Sequence, residues 1–182
     1  YHLENKIIKH VNDETFQEDP LRVLRAAQFA ARFEFKIDDE TIKLCKKMDL
    51  STLPKERIET ELKKALLKSK KPSIFFEEIR KMNQLDYWFK EVKNLIGVQQ
   101  NPKYHAEGDV WVHTMMVLDE GVKYLNKIDN HFYFLLSCIA HDFGKYSCTE
   151  IINGEIKSHK HEIEGLPLVE SFLNRITNEK ML

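Results

Sequence analysis

Apolar residues recur along this chain at three- and four-residue spacings, the period of a helix that buries one face. Asp19-Pro20 places a side-chain acceptor at a helix N-cap and a pyrrolidine ring at the first helical position, and the helix it opens runs from Leu21 to Phe33. Asp39 begins a second start signal, leading through Thr41 to Met48. Pro54 opens a third helix over Lys55 to Lys68, with Ile58, Leu62, Ala65 and Leu66 on one face. Pro72 precedes a fourth from Ser73 to Met82. The segment Leu85 to Val92 then leads to a turn-rich stretch, Gln99 to Gly108, which puts a domain boundary near residue 93. Three further helices are expected over 109–126, 130–141 and 161–176. Strand-like alternation is almost absent and Gly and Pro number only 6 and 5, so the class reads as all-α.

Composition narrows this little. A chain of 182 residues with 42% hydrophobic and 31% charged residues can bury one or two cores and is not of a disordered type. Its longest apolar runs, such as Phe132 to Ala140, are too short to span a bilayer, and its charged start lacks a secretory pattern. Three cysteines, Cys45, Cys138 and Cys148, without zinc-ligand spacing suggest a reduced, cytoplasmic setting. The net charge of −1 gives no global argument for nucleic-acid binding and leaves a local basic stripe open. A first residue Tyr1 in place of Met reads as a fragment, a processed product or an unrecorded start.

Chemistry concentrates in the second half. His141-Asp142 closes an apolar helix and is followed by Phe143-Gly144-Lys145. Imidazole and carboxylate together suit a divalent cation. Two consecutive helices joined by a short loop fold back on each other, so His113, near the start of one, should meet His141, at the end of the next. The two arms are roughly 20 and 16 Å long at the helical rise, nearly matched. A cation held there would polarise a phosphoryl oxygen and lower the pKa of a bound water, and Lys145 could offset phosphate charge. Ser158 to Glu162 adds His161 as a further ligand. A lone His-Asp pair is common, and a single histidine often only packs or caps; the constellation carries the signal.

The pattern resembles the HD superfamily of metal-dependent phosphohydrolases, with its His…His-Asp…Asp motif. His113, His141-Asp142, Gly144-Lys145, and His161 with Gly165 carry the likeness. No clear counterpart of the last Asp appears before Leu182. The resemblance implies metal ligation by His113, His141, Asp142 and His161, catalytic roles for Asp142 and Lys145, Ni²⁺, Mn²⁺ or Mg²⁺ as the cation, and a phosphate-ester substrate.

Glu18-Asp19-Pro20-Leu21-Arg22-Val23-Leu24-Arg25 is the other informative segment. Asp19 and Arg22 lie three apart and share a helix face, and an acceptor beside a donor fork can pair with the Watson–Crick edge of a base. Taken alone, an N-cap Asp with a Glu18–Arg22 surface pair is the simpler reading. The wider context, Asn5 to His10, Phe16 to Phe33, Pro54 to Leu62 and His105 to Thr114 in that order, resembles bacterial class II tRNA nucleotidyltransferases, the CCA-adding enzymes and their sister poly(A) polymerases, many with a fused HD domain. That resemblance implies that Asp19 and Arg22 pair with the base of incoming CTP or ATP, that Glu18 orients Arg22, and that Arg25 lies near phosphates. It also implies the tRNA 3′ end as partner and Mg²⁺ for the transferase. The Gly-Ser motif and paired aspartates of the family's catalytic head have no counterpart here. The expected organisation is a helical neck and body over 1–92 and an HD-type helical domain over 93–182, not competent for nucleotide addition alone. Two other readings remain open: a stand-alone HD phosphohydrolase acting on small nucleotides, and a non-enzymatic helical module that binds tRNA or a partner protein.

Overall fold

The structure, a computed structural model, describes residues 4–178. The first helical stretch begins with α1 (Asp13–Gln17), whose start is held by Asn12 Oδ1 accepting from the Thr15 N–H at 2.9 Å. It leads into α2 (Leu21–Phe33), which buries Leu21, Val23, Leu24 and the four alanines 26, 27, 30 and 31. Those small side chains let α2 lie close against α4 (Lys55–Leu67) and α5 (Ser73–Lys81). Ile58, Leu62, Ala65 and Leu66 form the buried face of α4, as their spacing demands. Ile58, Leu62 and Leu66 each contribute about 1.5–3 kcal/mol by leaving water, and Ala65, with one methyl group, less. Glu34 ends α2 in the left-handed conformation, and the chain then runs β2 (Lys36–Ile37) parallel to β1 (Ile7–Ile8), with Ile7 opposite Lys36. Between them and α4 lies α3 (Asp39–Cys45), capped by Asp38. Gln84 Nε2 donates to the Cys45 and Met48 carbonyls at 2.7 and 2.8 Å, and Trp88 Nε1 to that of Leu50 at 2.7 Å.

Contacts divide the chain into two units, one up to Trp88 together with the stretch from Ile176, the other Phe89–Arg175. The second unit opens with α6 (Lys90–Lys93). Asp109 then caps α7 (Val110–Gly121) through Oδ1 on the Val112 N–H, while its Oδ2 takes the Gly97 N–H. A 3₁₀ segment, Val122–Lys127, follows, and α8 (His131–Ala140) packs back on α7. Next come α9 (Lys145–Cys148), β3 (Thr149–Ile152), β4 (Glu155–Ser158), α10 (His161–Glu164) and α11 (Leu166–Ile176). Trp111, Leu118, Leu135, Ile139, Phe143 and Phe172 fill its core, with Phe143 edge-on to Phe172 at 5.3 Å.

The fold is mostly helical, as the periodicity implies. The Asp19 side chain accepts from the Leu21 N–H and caps α2 as expected. Three details differ. The helix expected over 109–126 tightens to 3₁₀ from Val122. The helix expected over 161–176 breaks at Gly165. An antiparallel hairpin, β3–β4, pairs Thr149 with Ser158 where a loop is expected. Its turn is Asn153-Gly154, both at positive φ (52° and 80°), the pairing that a two-residue hairpin turn favours. Among the described residues no helix is long and apolar enough to cross a membrane, and the three cysteines are free.

Candidate functional site

The His–Asp cluster lies entirely within the second unit. Asp142 sits just past the end of α8 and is buried. Three imidazoles turn their Nε2 atoms onto its carboxylate: His141 at 3.2 Å and His113 at 3.8 Å from Oδ2, and His161 at 3.4 Å from Oδ1. Ligand atoms of His113, His141 and Asp142 all lie within 4.8 Å of one another; His161 approaches the other carboxylate oxygen and stands outside that triple.

Each imidazole is held from behind. His141 Nδ1 bonds the Cys138 carbonyl at 2.9 Å and His161 Nδ1 the Ser158 carbonyl at 2.8 Å. His113 Nδ1 meets Glu107 Oε1 at 2.6 Å. An Nδ1–H given to a carbonyl or carboxylate leaves Nε2 as the free lone pair, the tautomer a metal ligand needs. Glu107 Oε1 also takes His105 Nδ1 at 3.1 Å, and the His105 ring lies edge-on to His113 at 5.0 Å. Glu107 and His105 were not among the residues expected at the site; their signal was the short span His105–Glu107–His113, which folds back on itself ahead of α7.

Lys145 Nζ lies 2.8 Å from Asp142 Oδ2 and donates to Gln100 Oε1 at 2.9 Å. Burial alone would raise the Asp142 carboxyl, but the hydrogen bonds and charges of His141 and Lys145 outweigh it and hold the group well below the usual carboxylate range. Burial would lower the His141 imidazole, and Asp142 reverses the sign and raises it. Asp142 Oδ2 is fully buried, with the Lys145 ammonium at 2.8 Å as its charged neighbour. A buried carboxylate beneath converging imidazole nitrogens fits a divalent cation.

In the first unit, Asp19 Oδ1 accepts from the Leu21 N–H at 3.1 Å and Oδ2 pairs with Arg57 at 3.1 Å. Arg22, half-buried, faces a cleft of about 420 Å³ shared with His10, Thr15 and Phe16. Glu18 and Arg25 are exposed. Among the described residues no ion pair joins Glu18 to Arg22. Arg57, in the Pro54–Leu62 segment, is the partner that holds Asp19.

A family model described as "Probable RNA and SrmB- binding site of polymerase A" matches residues 34–96. The Multifunctional CCA protein of Haemophilus ducreyi is 36% identical over 183 residues, spanning 96% of this chain and 43% of that protein. The protein of the same name from Pseudoalteromonas atlantica is 38% identical, again over 96% of this chain and 43% of its own length. That of Acinetobacter baumannii (strain ATCC 17978) is 41% identical over 96% and 42%. The chain therefore spans less than half the length of these curated relatives. A solved structure titled "tRNA-processing enzyme (apo form 2)" covers 80% of this chain and 41% of its own, at 24% identity and a TM-score of 0.55, a likeness of fold.

Proposed function

The chain belongs to the family of CCA-adding tRNA nucleotidyltransferases, and from that premise we propose that it serves such an enzyme in two ways: recognition of the incoming CTP or ATP at the tRNA 3′ end, and metal-dependent hydrolysis of phosphate esters. The hydrolytic reading is carried by one observation, the convergence of three back-tethered imidazoles on the buried Asp142. His113, His141, Asp142 and His161 would hold the cation, Ni²⁺, Mn²⁺ or Mg²⁺. When bound, such a cation supplies Lewis acidity at a phosphoryl oxygen and a nucleophilic water at neutral pH. The chain's own part is positional. Cys138, Ser158 and Glu107 fix the three rings, and Lys145 brings an ammonium beside the carboxylate to offset phosphate charge.

The test is metal titration followed by assay on 2′,3′-cyclic CMP. The expected result is tight binding of Ni²⁺ or Mn²⁺ and metal-dependent turnover, both abolished in Asp142→Asn. A protein that takes up no divalent metal would reduce this half to a helical scaffold.

For base recognition, Asp19 and Arg22 are the residues that would read CTP and ATP, with Glu18 and Arg25 beside them. Buried polar groups left unpaired by a wrong base would supply the discrimination. Arg57 holds the Asp19 carboxylate at the head of α2. CTP and ATP affinities of Arg22→Lys and Asp19→Ala against the unaltered protein test this. Arg22→Lys keeps the charge and removes the fork, so a loss there is specific to pairing. Equal binding by all three would remove the role. The same family supplies the proposed Mg²⁺ requirement of nucleotide addition.

A further inference from the structure

The first turn of α4 carries Arg57, the residue that holds Asp19 at the head of α2. That turn has a weak start. Pro54 stands at the N-cap position, where its ring offers no acceptor, and no side chain caps the helix. The first N–H groups of a helix have no partner within it, so an uncapped start frays. Arg57 Nη2 lies 3.1 Å from Asp19 Oδ2, and the Arg57 side chain is 45% exposed. Its contact with Asp19 therefore keeps its geometry only while the turn beneath it is held.

The hold comes from the stretch after Ile176, which belongs to the first unit. Thr177 Oγ1 donates to Glu59 Oε1 at 2.9 Å, a bond between buried groups. Asn178 Nδ2 donates to Glu56 Oε1 at 2.6 Å. In the opposite sense, Lys55 Nζ donates to the Thr177 carbonyl at 3.3 Å. Lys55, Glu56 and Glu59 flank Arg57 at the start of α4, and each is tied to a segment far along the chain, 118 to 122 residues away. All three bonds have a charged partner, the stronger kind of hydrogen bond. Together they fasten the turn that Pro54 leaves uncapped.

We propose that Thr177 and Asn178 form a strap that stands in for the missing cap of α4 and so holds the Arg57–Asp19 pair in position for reading a base. The functional half of this inference rests on the base-recognition reading. Thr177 and Asn178 are positioning residues: they act on Asp19 through α4 and Arg57. Cytosine offers an amino donor to the Asp19 carboxylate, whereas uracil offers a carbonyl oxygen at the same place. A loosened strap therefore costs cytosine its pairing and costs uracil nothing comparable.

The experiment compares the whole chain with the double variant Thr177→Val, Asn178→Ala. CTP and UTP are titrated calorimetrically, and hydrogen exchange at the start of α4 is read by mass spectrometry. In the double variant those amides should exchange about 5-fold faster and the preference for CTP over UTP should fall about 5-fold, the size of one lost helix cap. General destabilisation would instead weaken both nucleotides alike. Pro54→Ser, added to the double variant, should restore both readouts, because Pro54 already has the extended backbone of a capping residue and serine supplies the acceptor. Should Thr177→Val fail to fold, Asn178→Ala alone decides, because that side chain is exposed. Unchanged exchange at the start of α4, or an undiminished CTP preference in a protein that has one, overturns the strap. Faster exchange rescued by Pro54→Ser, in a chain that never prefers CTP, would remove base recognition and keep the strap as the anchor of the Arg57–Asp19 pair.

Discussion

Gly144 lies so close to His161 that a Cβ on it would overlap the His161 carbonyl oxygen. Gly165 is pressed into the same contact, its own hypothetical Cβ 3.0 Å from the Gly144 nitrogen. The α9 start and the α10–α11 junction thus meet backbone to backbone, and that approach brings His161 to Asp142. Gly144→Ala should push α10 away and withdraw His161 from the cluster. The expected result is a loss of at least about 10-fold in Mn²⁺ or Ni²⁺ affinity. Titration of the variant beside His161→Ala checks it; the two should lose comparable affinity.

Glu107 acts at one remove, through His113. Replacing it by Gln leaves an oxygen that can still accept but removes the charge that fixes the imidazole. Metal affinity should fall about 10- to 100-fold in Glu107→Gln with the fold retained, measured by chelator competition and circular dichroism.

The same residue gives a pH signature. Backbone hydrogen bonding at Glu107 lowers its carboxyl from the ordinary 4.5 to about 2, with desolvation opposing and His105 and His113 assisting. A depressed carboxyl stabilises the folded state above its unfolded pKa and loses that contribution as pH falls through the folded one. The stability gap between the unaltered protein and Glu107→Gln should therefore be flat from pH 8 to 5. It should close between about 4.5 and 2. Urea midpoints across that range measure it, and a gap that stays open down to pH 2, or closes well above 4.5, would remove the effect from the Glu107 carboxylate.

How far the sequence reaches is clearest at this cluster. His113 and His141 were readable because helix length alone makes the two ends of a hairpin meet, and both do approach Asp142. Glu107 was not, because its role depends on a loop path between Gln100 and Asp109 that has no period to read. The hairpin was legible in principle: Ile151-Ile152-Asn153-Gly154 carries a strong turn signal. The surrounding helical periodicity masked it. Asp19 was legible as a capping residue, while its bond to Arg57, 38 residues away, is a product of α2 packing on α4.

That hairpin turn makes its own prediction. Gly154 has φ +80°, where a side chain is strained although nothing crowds the position. Gly154→Ala should cost about 1 kcal/mol, a fall of a few degrees in Tm of the second unit, through backbone strain alone. A scanning calorimetry trace indistinguishable from that of the unaltered protein would mean that the hairpin is not formed in solution.

Cysteine reactivity reports on the core of the first unit. Burial pushes the Cys45 thiol up to about 12. At pH 8 only about one molecule in ten thousand then carries the thiolate, which is the reactive form. Cys45 also sits where α3 ends, under the Gln84 amide that closes on its carbonyl at 2.7 Å. Burial raises Cys138 as well, within the other unit. Cys148 is half-exposed at the end of α9. Iodoacetamide at pH 8 should therefore label Cys148 in the native protein and leave Cys45 untouched until denaturant is added, as peptide mass spectrometry would read. Gln84→Ala removes both donors that tie down this end of α3 and should bring Cys45 labelling forward without altering that of Cys148. Native labelling of Cys45 at the Cys148 rate would show that α3 opens readily and that the Gln84 bonds at its end do not hold it in solution.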